Sequence, residues 1–345
     1  MTDHIPLTLL TGALGAGKTT LLNRILAGGA GGRIAVIVNE FGEMGLDHDL
    51  IIGTVEDMVL LASGCLCCTL RGDLITALTD LLAKRAAGQL TFDRLVVETT
   101  GLADPAPVLH TLMVEPALAQ TIRLDGVVTV CDAALGAAGL DRVPEALAQV
   151  AMADVLVISK ADRVTPLALG AFQARLARLA PLARQNVAGP QMDLAALFGH
   201  GVPDAAIGAE DWLLSAPALP LRPFAAAPET GLLGAAFAPP LPRHDGTVTA
   251  VSARIDTPVH PMMLEFFLDT LLALRGPDIL RMKALLWVQG HDAPFALHAV
   301  QHIVDPPIRL EGWRGTDRTS RIVVIGRNMT EDDLQAALGL LRAPA

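Results

Sequence analysis

The chain has 345 residues, of which 52% are hydrophobic and 18% charged, and its net charge is −10. This length and apolar content allow two domains with sizeable cores and exclude a disordered chain. The acidic balance weighs against nucleic acid as a partner, because a phosphate-binding surface is basic.

The N-terminal string MTDHIPLTLLTG has no basic stretch and runs straight into a glycine-rich loop, so it does not read as a signal peptide. No apolar run reaches the roughly 18–20 residues that span a bilayer, so a cytoplasmic protein with no membrane partner is expected. Ile5 to Gly12 (IPLTLLTG) reads as an apolar strand. Lys18 to Ala27 spaces Leu21, Leu22, Ile25 and Leu26 as a helix does. Strands are expected from Ile34 (IAVIVNE), over Arg94–Glu98, over Gly126–Val130 and over Asp154–Ser159, with an amphipathic helix from Leu74. Continuous apolar strands alternating with helices predict a mostly parallel sheet covered on both faces, with the ligand at its carboxyl edge.

Between about Pro190 and Pro242 the periodicity weakens into Pro- and Ala-rich strings such as APALPLRPFAAAPETG. A second pattern then begins: strand TVTAVSARI, helix MMLEFFLDTLLAL, strands within ILRMKALLWVQG, ALHAVQHIV and SRIVVIG, and a closing helix with Thr330 as N-cap. The expected organisation is an α/β domain over 1–190, a linker over 191–245 and a smaller α+β domain over 246–345.

GALGAGKT, from Gly12 to Thr19, fits G-x-x-x-x-G-K-[ST], and the strand before it and helix after it supply the context this phosphate loop needs. Glycines let backbone N–H groups turn onto phosphates, Lys18 reaches the β and γ oxygens, and the Thr19 hydroxyl takes Mg²⁺. VVETTG ends a strand in Glu98, placed to orient Mg²⁺ or the attacking water, and Gly101 offers an N–H to the γ-phosphate. Ser159-Lys160-Ala161-Asp162 ends another strand. A carboxylate at Asp162 accepts from both guanine N1–H and its exocyclic amine, a donor pair that adenine lacks. The Lys160 stem would pack along the base.

Cys65, Cys67 and Cys68 (SGCLCC) place three thiolates within four residues, a soft set suited to Zn²⁺ and similar ions with one position left open. Redox exchange between neighbouring thiols and a buried apolar cluster are the alternatives. Glu40, in NEFG, is a candidate extra metal ligand or Mg²⁺-side acid. Asp47, His48 and Asp49 are weaker candidates, equally readable as a solvated loop. Lone His244 and His302 read as ordinary histidines, and Cys131 as a buried strand-end residue.

These strings, GALGAGKTTLLNRIL, VNEFGEMGLDHDLI, SGCLCCTLRGDL, VVETTGLADPAPV and SKAD, resemble the CobW-type GTPases, relatives of the urease and hydrogenase maturation GTPases. RMKALLWVQG, HAVQHIVDPP and the string from Trp313 to Arg327 resemble the CobW C-terminal domain. The resemblance implies a P-loop GTPase domain plus an α+β domain, GTP hydrolysis with Mg²⁺, and trafficking of Zn²⁺ or Co²⁺ to a client metalloprotein or metal-insertion enzyme. A homodimer is compatible with it. Carried over by position, Gly12, Gly15, Ala16, Gly17, Lys18, Thr19 and Thr20 hold phosphates and Mg²⁺. Glu98 takes the Walker B position, Ser159, Lys160 and Asp162 read the base, and Cys65, Cys67 and Cys68 bind the transported metal. Ser159 departs from the usual Asn, and the linker lacks a His-rich stretch. No arginine finger is evident, Arg71 being merely the basic residue nearest the cysteines, so slow intrinsic hydrolysis is expected. A redox-sensing or structurally metallated P-loop protein is the rival reading. A small-molecule kinase is a third, disfavoured by SKAD.

Overall fold

The computed structural model describes residues 4–41, 58–63, 69–202, 248–313 and 316–342. The chain divides into two compact units, one of 1–176 and 183–201, the other of 177–182 and 202–345.

The first unit is built on seven strands: β1 (Ile5–Gly12), β2 (Ile34–Phe41), β3 (Met58–Ser63), β4 (Arg94–Glu98), β5 (Ile122–Asp132), β6 (Val155–Ser159) and β7 (Arg184–Val187). They run in the order β3-β2-β4-β1-β5-β6-β7, and every pairing is parallel. The cause is legible in the strands themselves. Leu7, Leu9 and Leu10, like Val96 and Val97, are buried at consecutive positions, which happens only where both sheet faces are covered. The covering helices include α1 (Lys18–Gly28), α2 (Thr69–Ala86), α3 (Ala106–Val114), α4 (Pro116–Ala119), α5 (Gly136–Arg142), α6 (Pro144–Ala151) and α7 (Pro166–Leu179). On α1, Leu21, Leu22 and Ile25 face the sheet and pack in one core cluster with Val36, Val128 and Val157. Because all strands are parallel, their carboxyl ends share one edge, with β1 central.

Two expectations shift in this unit. The helix expected from Leu74 starts at Thr69, because its apolar stripe begins one turn after its polar opening. The strand expected over Gly126–Val130 runs from Ile122 to Asp132. It bulges where pairing with β1 jumps from Leu7↔Leu124 to Thr8↔Gly126, and Gly126 takes φ +152° there. The edge strands β3 and β7 had no separate prediction, and the RQNV of β7 has no apolar run to announce it.

The second unit is an antiparallel sheet of β8 (Val248–Ile255), β9 (Ile279–Leu286), β10 (Phe295–Val300), β11 (Ile303–Val304), β12 (Ile308–Arg309) and β13 (Ser320–Arg327). The order is β11-β10-β9-β13-β8, with β12 beside β10. Two helices, α8 (Pro261–Arg275) and α9 (Glu331–Gly339), belong to this unit. They place Phe267, Leu271, Leu334 and Leu338 in one core with Met282, Ala284 and Val324. The segment expected as one strand, ALHAVQHIV, folds into a hairpin: Val300 pairs Ile303 across Gln301 and His302, and Gln301 takes φ +54°. His302 is therefore an exposed turn residue. Thr330 caps α9 as expected, in a capping box with Asp333.

Candidate nucleotide site

Gly12 closes β1 with φ +138°, and a Cβ there would stand 2.3 Å from the Val130 carbonyl oxygen of β5. Only glycine fits that approach. Gly15 (φ +72°) and Gly17 (φ +101°) take left-handed backbone conformations that curl the loop into a cradle. Gly17 caps α1 without a side chain, so the first N–H groups of the helix meet no capping oxygen from it. This end of α1 suits phosphate, which satisfies those donors and the helix dipole together.

Lys18 is buried, and its Nζ donates to the carbonyls of Gly12 (3.0 Å) and Ala13 (3.3 Å). Its ammonium thus lies folded over the cradle. The Thr19 hydroxyl donates to Glu98 Oε1 at 2.9 Å. Glu98, at the end of β4, is 4% exposed. A hydroxyl and a carboxylate brought together at the head of a phosphate cradle are a hard-oxygen donor set that fits Mg²⁺. Thr20 is exposed on the next helical position.

Gly101 comes against this loop from the segment after β4. A Cβ on it would lie 2.3 Å from the Leu14 backbone nitrogen. Thr99 supports the same segment: its N–H donates to Leu10 O (2.9 Å) and its hydroxyl to that of Thr11 (2.8 Å).

The base-side residues sit at the end of β6. Ser159 Oγ donates to Ala16 O in the phosphate loop (2.6 Å) and to Cys131 O on β5 (3.3 Å). Lys160 takes φ +53°, and its Nζ bonds Asp132 Oδ2 at 2.5 Å. Asp162 lies exposed in the single turn Ala161–Arg163, its carboxylate open to a ligand. Every nucleotide residue expected from sequence therefore emerges along the carboxyl edge of one sheet.

Residues 6–186 match the family described as "CobW/HypB/UreG, nucleotide-binding domain", and residues 248–341 match "Cobalamin synthesis protein cobW C-terminal domain". The chain belongs to the CobW family. It is 32% identical to the zinc chaperone YjiA of Escherichia coli K12 over 350 residues, covering 99% of each protein. It is 36% identical over 193 residues to the zinc-regulated GTPase metalloprotein activator 1 of Schizosaccharomyces pombe, covering 53% of this chain and 45% of that one. The crystal structure of Zn(II)-bound YjiA GTPase from E. coli superposes with a TM-score of 0.70 at 28% identity, covering 99% of both chains.

In this CobW-family chain Cys65, Cys67 and Cys68, with Asp47, His48, Asp49 and His244, lie outside the described residues. Among the described residues no group of three His, Cys, Asp or Glu side chains is placed to hold a metal. No described helix is long and apolar enough to cross a membrane. The Glu40 backbone is described: it sits near the end of β2, paired in register with Ala62 of β3. Cys131 is buried at the end of β5, where desolvation pushes its thiol up to about 12.

Two residues of the site had escaped the sequence. Asp132 ends the apolar run GVVTVCD as Glu98 ends RLVVE, so the strand-end acid was a usable signal. Gln149, fully buried on α6, lines a cavity of about 140 Å³ together with Leu14, Gly101 and Cys131. Its signal was fainter: one amide in the apolar stretch ALAQVAMA.

Proposed function

We propose that this CobW-family chain is a GTP-hydrolysing metallochaperone. It takes Zn²⁺ or Co²⁺ as cargo at Cys65, Cys67 and Cys68, with Glu40 as a further ligand, and passes it to a client metalloprotein. The zinc chaperones among its relatives favour Zn²⁺ of the two, as does a thiolate donor set.

The observation that carries the reading is strand register. Glu98 pairs Val38 on β2, so Glu40 lies two residues beyond the residue beside the γ-phosphate acid. Glu40 in turn pairs Ala62, three residues before Cys65 in the chain. Thus β4, β2 and β3 deliver the phosphate-side carboxylate, the candidate metal ligand and the entry to the cysteine string side by side at one sheet edge.

In the reaction the loop amides from Gly15 to Thr19 take the phosphate oxygens. Lys18 exchanges its two carbonyl partners for β and γ oxygens, which places a cation where negative charge builds up. Mg²⁺, when bound, would neutralise phosphate charge, with Thr19 and Glu98 holding it. In this reading Glu98 orients the attacking water and the Gly101 N–H donates to the γ-phosphate. Asp162 selects guanine. Tension on β4 and β2 ends from the γ-phosphate then shapes the thiolate site, and its loss on hydrolysis loosens the ligands.

The test is a competitive chelator titration with Zn²⁺ and with Co²⁺, in GDP and in a non-hydrolysable GTP analogue, beside a Cys65→Ala, Cys67→Ala, Cys68→Ala variant. Linkage requires tighter metal binding with the analogue, on the order of tenfold, and its loss in the variant. Metal affinity equal in the two nucleotides would leave a GTPase with a structural or redox thiol cluster.

A further inference from the structure

We propose that Gln149 is a positioning residue for the γ-phosphate: its side-chain amide holds the loop that presents the Gly101 N–H. The proposal rests on the GTPase reading above.

Gln149 comes from α6, an element that contributes none of the nucleotide residues expected from sequence. It is fully buried. Its Nε2 donates to Ala103 O at 2.9 Å and to Gly101 O at 3.3 Å. One NH₂ group therefore clasps the Gly101–Ala103 turn, which is also closed by Ala103 N–H donating to Thr100 O (3.2 Å). The helix end is itself anchored to the sheet, because Thr129 of β5 donates its hydroxyl to Gln149 O (2.7 Å).

The amide can face only one way. Two carbonyl oxygens on one side demand the NH₂ there, which turns Oε1 away. Among the described residues that oxygen has no hydrogen-bond partner. A buried unpartnered acceptor lowers stability, and an apolar side chain of equal length would avoid it. The amide is thus poorly explained as packing and well explained by what it grips. Gly101 is held from two directions: its missing Cβ lets it seat against Leu14 of the phosphate loop, and Gln149 fixes its carbonyl. The Gly101 N–H shares its peptide plane with the Thr100 carbonyl, which accepts from Ala103 N–H, so the clasp on Gly101 O and Ala103 O holds that N–H through the 100–103 turn. A preorganised donor aimed at the terminal phosphate discriminates GTP from GDP, since GDP has nothing there to accept it.

The experiment uses the full chain, as wild type, Gln149→Met and Gln149→Glu. Methionine keeps the length and removes both donors, and the adjoining cavity of about 140 Å³ accommodates its bulk. GDP affinity, affinity for a non-hydrolysable GTP analogue and kcat for GTP are measured. The expected result is GDP affinity within about twofold of wild type, analogue affinity and kcat each down roughly tenfold, and a larger loss in Gln149→Glu, whose carboxylate faces two carbonyls. Equal weakening of GDP and analogue binding would assign Gln149 a structural role and overturn the proposal, as would unchanged values. A wild type that neither binds nor hydrolyses GTP would instead sink the GTPase reading. Should both variants fail to fold, hydrogen exchange of the wild-type segment 99–104 decides. Protection by the analogue beyond that by GDP is expected, and equal protection overturns the proposal.

Discussion

Ser159 shows how a single residue can depart from the usual pattern and keep part of its task. The common Asn is absent, yet Ser159 Oγ still bonds the phosphate loop at Ala16 O and the neighbouring strand at Cys131 O. The hydroxyl ties the end of β6 to the phosphate loop, whereas in the proposed GTPase guanine selection would fall to the Asp162 carboxylate. Ser159→Ala should therefore weaken GDP and GTP alike by about five- to tenfold, the worth of roughly 1 kcal/mol for one such bond. The preference for guanine over adenine nucleotides should stay as in wild type. Fluorescent-nucleotide titration with competing ADP checks both halves, and a collapse of base preference would mean that Ser159 itself reads the base. Residues of this kind were legible because their spacing is local: Gly12 to Thr19 and Ser159 to Asp162 each act within one turn of chain. Gln149 was not, because its contacts join it to neighbours far along the sequence at Gly101 and Ala103, and Asp132 offered only its strand-end position, its partner Lys160 lying at the next strand's end.

At the scale of elements, the parallel sheet was readable from its continuous apolar strands, but its register was not. Register is set partly by Asp125 at the bulge of β5. This buried carboxylate accepts from Thr8 Oγ1 (3.2 Å) and Gly199 N–H (3.0 Å) and forms an ion pair with Arg94 at the start of β4. Arg94 also stacks over Phe198, 4.3 Å from the ring centroid. One acid therefore pins β1, β4, β5 and the 198–199 turn at the amino edge of the sheet, opposite the nucleotide. In the string IRLDG it looks like a polar residue ahead of a strand, and so the expected strand starts four residues too late, at Gly126 instead of Ile122. Removing one partner of a buried pair leaves the other charge uncompensated, which costs about 3–5 kcal/mol. Asp125→Ala should lower the urea midpoint accordingly at unchanged m-value, with a milder loss for Arg94→Met, which leaves the buried Asp125 carboxylate its two other donors, Thr8 and Gly199. An Asp125→Ala variant as stable as wild type would show that the apolar strands fix the register unaided.

The whole molecule has two units with separate cores, and they answer to different chemistry. Nucleotide acts on the first. In the second, acid acts through His298. That imidazole is buried on β10, with Nδ1 3.1 Å from Asp305 Oδ2. Desolvation holds its pKa below the ordinary histidine value, the nearby Arg281 and Lys283 on β9 push the same way, and Asp305 opposes them. In the unfolded chain the imidazole takes up a proton below about pH 6.5, whereas in the folded unit it stays neutral until the pH is lower still. The unfolded chain thus binds more protons in that window, so stability is full above about pH 6.5 and falls as the pH drops below it. Asp292 and Asp317, whose pKa values are lowered by Arg309 and by Thr319 respectively, titrate below the ordinary aspartate range and leave this window to the histidine. Between pH 7.5 and 5.5 the unit should lose about 1 kcal/mol, or roughly 5 °C in Tm. His298→Gln, which cannot charge, should flatten that slope. Trp287 is a built-in reporter, buried in this unit and packed edge-on against Trp313 at 6.1 Å. Thermal unfolding followed by its fluorescence, in a Trp212→Phe background, makes the comparison. If His298→Gln keeps the wild-type slope, the acid sensitivity belongs to another group and the buried imidazole is only packing.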